Sequence, residues 1–165
     1  MGIGDGDEVI VPSFTYIASV NAIKYTGATA VFVDSNLHTW QIDPTKIEEK
    51  ITNKTKAIMA VHLYGQPCEM DAILSMAKKH KLFVIEDCAE AFGSLYNGKH
   101  VGSFGDIATF SFFGNKTITT GEGGMVVTNN DSLHDKVVHL KGQGLAKDRE
   151  YYHDIIGYNL SLIHI

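Results

Sequence analysis

Short apolar runs recur along the chain, and longer stretches between them return an apolar residue every three or four positions. The runs cover residues 8–12 (EVIVP), 29–34 (TAVFVD), 56–63 (KAIMAVHL), 82–86, 107–113 and 124–128. Rich in Val, Ile and Phe, they predict six strands. The third is almost unbroken, the pattern of a strand covered on both faces. Within residues 15–25, Ile17, Val20, Ala22 and Ile23 fall at helical spacing, and Gly27 is placed to end that helix. Asp43-Pro44 opens a second helix, to Lys50, with a capping acid followed by proline. Ile73, Leu74 and Ala77 mark an amphipathic helix over Met70–His80, and a last helix runs over Asp131–Lys141.

Strands alternating with helices of this length predict an α/β fold: three layers, a mostly parallel sheet with helices on both faces. The link between Phe113 and Gly124 holds no helix. The strands it joins are therefore antiparallel if they are neighbours, because a parallel pair needs a longer crossover. In such sheets ligands sit beyond the C-terminal ends of the strands. Asp87 ends one apolar run, and Ser111 to Lys116 end another. A lysine is a nucleophile only when its amine is neutral, which demands a sheltered or cation-lined site; a loop lysine is ordinarily solvated and inert. Asp87 alone reads equally as a helix cap or half of a surface ion pair. Together, a lysine and an acid at one sheet edge suit pyridoxal phosphate: the amine meets the aldehyde, and the carboxylate pairs with the protonated pyridine nitrogen. Gly121, Gly123 and Gly124 let the backbone turn tightly and approach a ligand, or simply make a turn.

Phe112-Phe113-Gly114-Asn115-Lys116, then Thr119-Thr120-Gly121-Glu122-Gly123-Gly124, with Glu86-Asp87-Cys88-Ala89-Glu90-Ala91 upstream, resembles the sugar aminotransferases of the DegT/DnrJ/EryC1/StrS family. The likeness runs from about residue 4 to residue 159. It implies the large domain of a fold-type-I transferase dependent on pyridoxal phosphate, acting as a cytoplasmic homodimer. The implied reaction moves the amino group of L-glutamate to C4 of a nucleotide-linked 4-keto-6-deoxy sugar, GDP-4-keto-6-deoxymannose, for O-antigen assembly. Left open are a relative acting at C3 or on another nucleotide, and a polypeptide that carries the lysine loop without retaining cofactor. Carried over by position, Lys116 is the Schiff-base lysine and proton shuttle, and Asp87 the partner of the pyridine nitrogen. Glu90 stands where many relatives have Gln or His beside the cofactor's O3′ hydroxyl. Ser111 bonds the phosphate, Tyr16 stacks on the ring, and Asn159 reaches the neighbouring subunit's cofactor. Relatives that dehydrate at C3 carry His in place of the lysine, so Lys116 implies amino transfer.

Chains of the family are longer at both ends. That implies a partial large domain over residues 1–159, with apolar faces left uncovered around Ile10, Ile17 and Val20. Leu160-Ser161-Leu162-Ile163-His164-Ile165 departs from the family pattern and reads as a non-native tail.

A net charge of −5 and the lack of any basic run give no reason to expect nucleic acid or a membrane surface. No apolar run approaches the ~20 residues that span a bilayer. Met1-Gly2-Ile3-Gly4-Asp5 lacks the basic start and apolar core of a signal peptide, so a reducing cytoplasm is the default. Cys68 and Cys88 are too few for a disulfide framework and have no metal-ligand spacing, which makes them small buried fillers. His62, beside Tyr64 at a strand end, either lines a substrate pocket or is a satisfied core histidine. His134 and His139 read as solvated, and no spacing predicts a metal site.

Overall fold

The alternation seen in the sequence closes into one six-stranded sheet. The computed structural model describes residues 1–146, 148 and 151–157. In chain order the elements are β1 (Glu8–Pro12), α1 (Ile17–Tyr25), β2 (Thr29–Val33), β3 (Thr55–Val61), α2 (Met70–His80), β4 (Phe83–Asp87), β5 (Leu95–Tyr96), β6 (Lys99–His100), β7 (Ile107–Ser111), β8 (Gly124–Val127) and α3 (Asp131–Lys141). The sheet order is β2-β1-β3-β4-β7-β8, parallel except for the antiparallel β7–β8 pair. The structure is thus the expected α/β fold with a mostly parallel sheet.

Alternate residues of the buried strands face opposite layers. Val9, Val11, Ala57, Met59 and Val61 pack with Ile23 of α1 on one face. Ile10, Ile58, Ala60 and Val84 pack with Met70, Ile73 and Ala77 of α2 on the other. This is why residues 9–11 of β1 and 57–61 of β3 are apolar on both faces.

Two compact units divide the chain, Met1–Val127 and Thr128–Ile165. In the second, Asn130 caps α3 by accepting the Leu133 amide at 3.0 Å, and Leu145 bridges His153. His139 is not solvated as expected: its Nε2 lies 2.6 Å from Asp154 Oδ1, whereas His134 stays exposed. The boundary at residue 159, the tail 160–165 and the role of Asn159 lie outside the described residues.

Two local expectations are corrected, and one crossover adds two short strands to the six expected. Residues 43–50 form two 3-10 turns, Pro44–Lys46 and Glu48–Lys50, in place of an α-helix. The backbone bonds that make the two turns close three residues back, for example Lys46 N to Asp43 O and Ile51 N to Glu48 O. A segment this short does not repay α-helix nucleation, and the tighter turn buries Ile47 completely. The β4–β7 crossover carries the β5–β6 hairpin and no helix. Its turn, Asn97-Gly98, has positive φ at both residues (50° and 77°), the pairing that matches strand twist. Ile10 is fully buried, not uncovered; Ile17 is exposed, and Val20 partly so.

Candidate active site

Four parallel strands deliver side chains to one cleft at their C-terminal ends. Beyond β1 the chain bends through residues 13–15 and Tyr16 is extended (φ −68°, ψ 142°), so the helix begins at Ile17, two residues later than its spacing predicts. Thr15 and Tyr16 are thereby free of the helix, and Ser19 lies in its first turn. β3 ends at Val61, followed by His62 and Leu63. On β4, Ile85 packs on the α1 side and Val84 on the α2 side. Alternation therefore sends Asp87 toward α1 and Glu86 away from it.

β7 ends at Ser111 and continues into a loop clasped at its base. Phe112 N donates to Gly123 O at 2.9 Å, Thr120 N to Phe112 O at 3.0 Å, and Lys116 N to Phe113 O at 3.0 Å. Gly121 (φ 83°) and Gly123 (φ 150°) make the return turn with backbone that side-chain-bearing residues rarely adopt. Lys116 rides on that loop.

The cleft, about 400 Å³, is lined by Tyr16, Ser19, Asp87, Glu90, Ser111 and Lys116 among others. All five residues singled out from the sequence meet there. The Lys116 side chain is only 19% exposed, and its Nζ lies 3.9 Å from Glu90 Oε1. The other Glu90 oxygen accepts the Tyr64 amide at 2.9 Å. Asp87 Oδ1 accepts the Ala89 amide at 3.0 Å, and Oδ2 accepts the Ser19 hydroxyl at 2.7 Å. Ser111 Oγ accepts the Phe113 amide at 3.4 Å, leaving its own proton to donate. Tyr16 is 72% exposed.

Sequence reasoning missed Ser19 and the backbone of Tyr64. Neither sits in a pattern that sets it apart, since each owes its place to chain brought together from elsewhere.

Glu86 serves the layer beneath. Its carboxylate is fully buried, and it accepts the amides of Phe104 (2.8 Å) and Gly105 (2.6 Å) on one oxygen and Gly102 (2.7 Å) and His62 Nε2 (3.1 Å) on the other. His62 Nδ1 accepts the Cys68 amide at 3.0 Å, so the ring proton sits on Nε2 and points at Glu86. His62 is therefore a satisfied core residue that also edges the cleft. Burial pushes the Glu86 carboxyl upward, but the bonds from His62, Gly105, Gly102 and Phe104 outweigh it and hold the group below its ordinary value of 4.5.

A carboxyl depressed in this way adds stability that is whole above pH 4.5 and is lost as pH falls through its folded value. Glu86→Gln is expected to turn an NH₂ toward donors and cost about 3 kcal/mol in urea unfolding at neutral pH. The acid limb of its stability–pH curve should also be shallower than that of the unsubstituted chain. A cost below about 0.5 kcal/mol would contradict this reading of the Glu86 bonds.

His62, Glu86 and Cys88 offer ligand-type atoms within 4.8 Å of one another, a grouping invisible in their spacing. The four bonds to Glu86 already occupy its oxygens. Burial pushes the Cys68 thiol to about 12 and raises Cys88 as well, so both are inert fillers. Among the described residues no helix is long and apolar enough to cross a membrane.

The DegT/DnrJ/EryC1/StrS aminotransferase family model matches residues 1–165. The GDP-perosamine synthase of Escherichia coli O157:H7 is 70% identical over the whole chain, which spans 45% of that protein's length. An aminotransferase structure from Psychrobacter cryohalolentis superposes with a TM-score of 0.89 at 45% identity, over 95% of this chain and 42% of that one. NtdA of Bacillus subtilis, solved with bound cofactor PMP, gives 0.87 at 36% identity, over 95% of this chain and 36% of its own.

Proposed function

Because the chain belongs to the DegT/DnrJ/EryC1/StrS aminotransferase family, we propose that it forms the cofactor site of an aminotransferase dependent on pyridoxal phosphate. The proposed reaction carries the amino group of L-glutamate to C4 of GDP-4-keto-6-deoxymannose, giving GDP-perosamine for O-antigen assembly. The observation that carries this reading is the meeting of Lys116, Asp87 and Ser111 in one cleft at the C-terminal edge of the sheet. The 70% identity to a GDP-perosamine synthase supports the choice of substrate.

The donor set fits the cofactor: a sheltered primary amine, a carboxylate held by two donors, a hydroxyl with a proton to give, and an exposed aromatic ring. When bound, pyridoxal phosphate supplies an aldehyde for the amine and a ring that absorbs the electrons left by C–H cleavage. Lys116 Nζ would hold the cofactor at its aldehyde end and would move the proton between the substrate's Cα and the cofactor's C4′. The Asp87 carboxylate would hold a proton on the ring nitrogen, the Ser111 hydroxyl would donate to the phosphate, and Tyr16 would pack against the ring. Glu90, pinned by the Tyr64 amide, would accept from the O3′ hydroxyl. Homodimerisation and a cytoplasmic location belong to the same proposal. The exposed apolar surface of Phe14 and Ile17, which flank the cleft-lining Thr15 and Tyr16, supports a second subunit there.

The test is amino transfer from nitrogen-15-labelled L-glutamate by the protein that carries this chain, with pyridoxal phosphate added. Label is expected in the GDP-linked sugar, with little in a dTDP- or UDP-linked ketosugar. Label entering only the other nucleotides would reassign the substrate, and label entering none would contradict the proposal.

A further inference from the structure

We propose that Ser19 is a positioning residue, which with Thr15 behind it fixes the direction in which the Asp87 carboxylate faces the cleft. The inference rests on the reading of Asp87 as the partner of the cofactor's ring nitrogen. It starts from the direction of two hydrogen bonds. A carboxylate only accepts, so the 2.7 Å contact between Ser19 Oγ and Asp87 Oδ2 uses the one hydroxyl proton of Ser19. The 3.1 Å contact between Ser19 Oγ and Thr15 Oγ1 must then be closed by the proton of Thr15. A one-way chain results, from Thr15 to Ser19 to Asp87.

On the far side the Ala89 amide donates to Asp87 Oδ1 at 3.0 Å. A carboxylate held at one oxygen still rotates about its last bond, but one held at both by separate parts of the chain does not. One anchor comes from the first turn of α1, the other from the segment that follows β4. Ser19 is 4% exposed, so water does not compete for its hydroxyl. The lone pairs of Asp87 not used by these donors are therefore fixed in direction within the cleft that Ser19 and Asp87 both line. Fixed orientation of this kind is what a supporting shell contributes to a binding group.

The experiment compares Ser19→Thr, which keeps the hydroxyl, with Ser19→Val, which has the same shape without it. Two probes are titrated into each: pyridoxal phosphate, and its analogue with carbon in place of the ring nitrogen. Ser19→Val is expected to bind pyridoxal phosphate about tenfold more weakly than Ser19→Thr, while both bind the carbon analogue alike. In an Asp87→Asn background the difference between the two should vanish. Ser19→Ala, which adds no bulk, should follow Ser19→Val. A purely structural serine would weaken both probes equally, and that result overturns the inference. So does equal binding of pyridoxal phosphate by the Thr and Val variants while the unsubstituted protein still prefers it to the analogue. An unsubstituted protein indifferent to the ring nitrogen would remove the role of Asp87 itself, and the Ser19 inference with it.

Discussion

Lys116→Ala is expected to lower amino transfer by four orders of magnitude or more while leaving the fold intact. Among the described residues, Lys116 is the only lysine lining the cleft, so no second amine can take its place. A loss of that size corresponds to about 5 kcal/mol or more of transition-state stabilisation. The fold should tolerate the change because the loop is clasped by the backbone of Phe112, Thr120 and Gly123, not by the lysine side chain. The one ion pair lost, to Glu90 at 3.9 Å, is worth under about 1 kcal/mol. Single-turnover transfer from glutamate, read beside the thermal midpoint of the cofactor-free protein, checks both halves. A variant within tenfold of normal turnover would remove Lys116 from the chemistry.

Asp87→Asn should act on rate more than on binding, slowing transfer on the order of a hundredfold, or about 3 kcal/mol. The neutral amide no longer stabilises a proton on the ring nitrogen, and electron withdrawal by the ring weakens. The surroundings can adapt. The side-chain oxygen of Asn still accepts the Ala89 amide, and Ser19 can reverse its hydroxyl to accept from the new NH₂ while donating to Thr15. Folding is therefore expected to change little, which separates a chemical effect from a structural one. Near-normal turnover would pass the nitrogen-partner role to Glu90. Glu86 is not a substitute, because it faces the opposite layer with both oxygens occupied.

Much of this could be read from the sequence because period-two and helical spacing report burial directly. The six strands and α2 follow from residues such as Val9, Ile58 and Ile73, whose faces are fixed by the core they enter. Asp87, Ser111 and Lys116 were legible as candidates because strand ends and a distinctive loop carry them, whereas Tyr16 and Glu90 stood out only through the family resemblance. Other features depend on partners far away in the chain. Residues 43–50 have helical signals, yet Ile47 had to reach the core within a short connection. Ser19 is one small polar residue in a helix until Asp87, 68 positions on, arrives beside it. The same holds for Glu86, whose amide partners lie in a loop with no pattern of its own. The Asn97-Gly98 hairpin is different: its turn signal stands in the sequence, but its two-residue strands are too short to show a period.

The central claim is that Lys116 is the amine that receives the cofactor. Its most direct test is to incubate the protein with pyridoxal phosphate, reduce with borohydride, and locate the modified lysine by peptide mass spectrometry. The account predicts label concentrated on Lys116 at one equivalent per chain, and lost when glutamate is added before reduction. Label spread over exposed lysines such as Lys46, Lys50 and Lys79, with Lys116 unmodified, would contradict it.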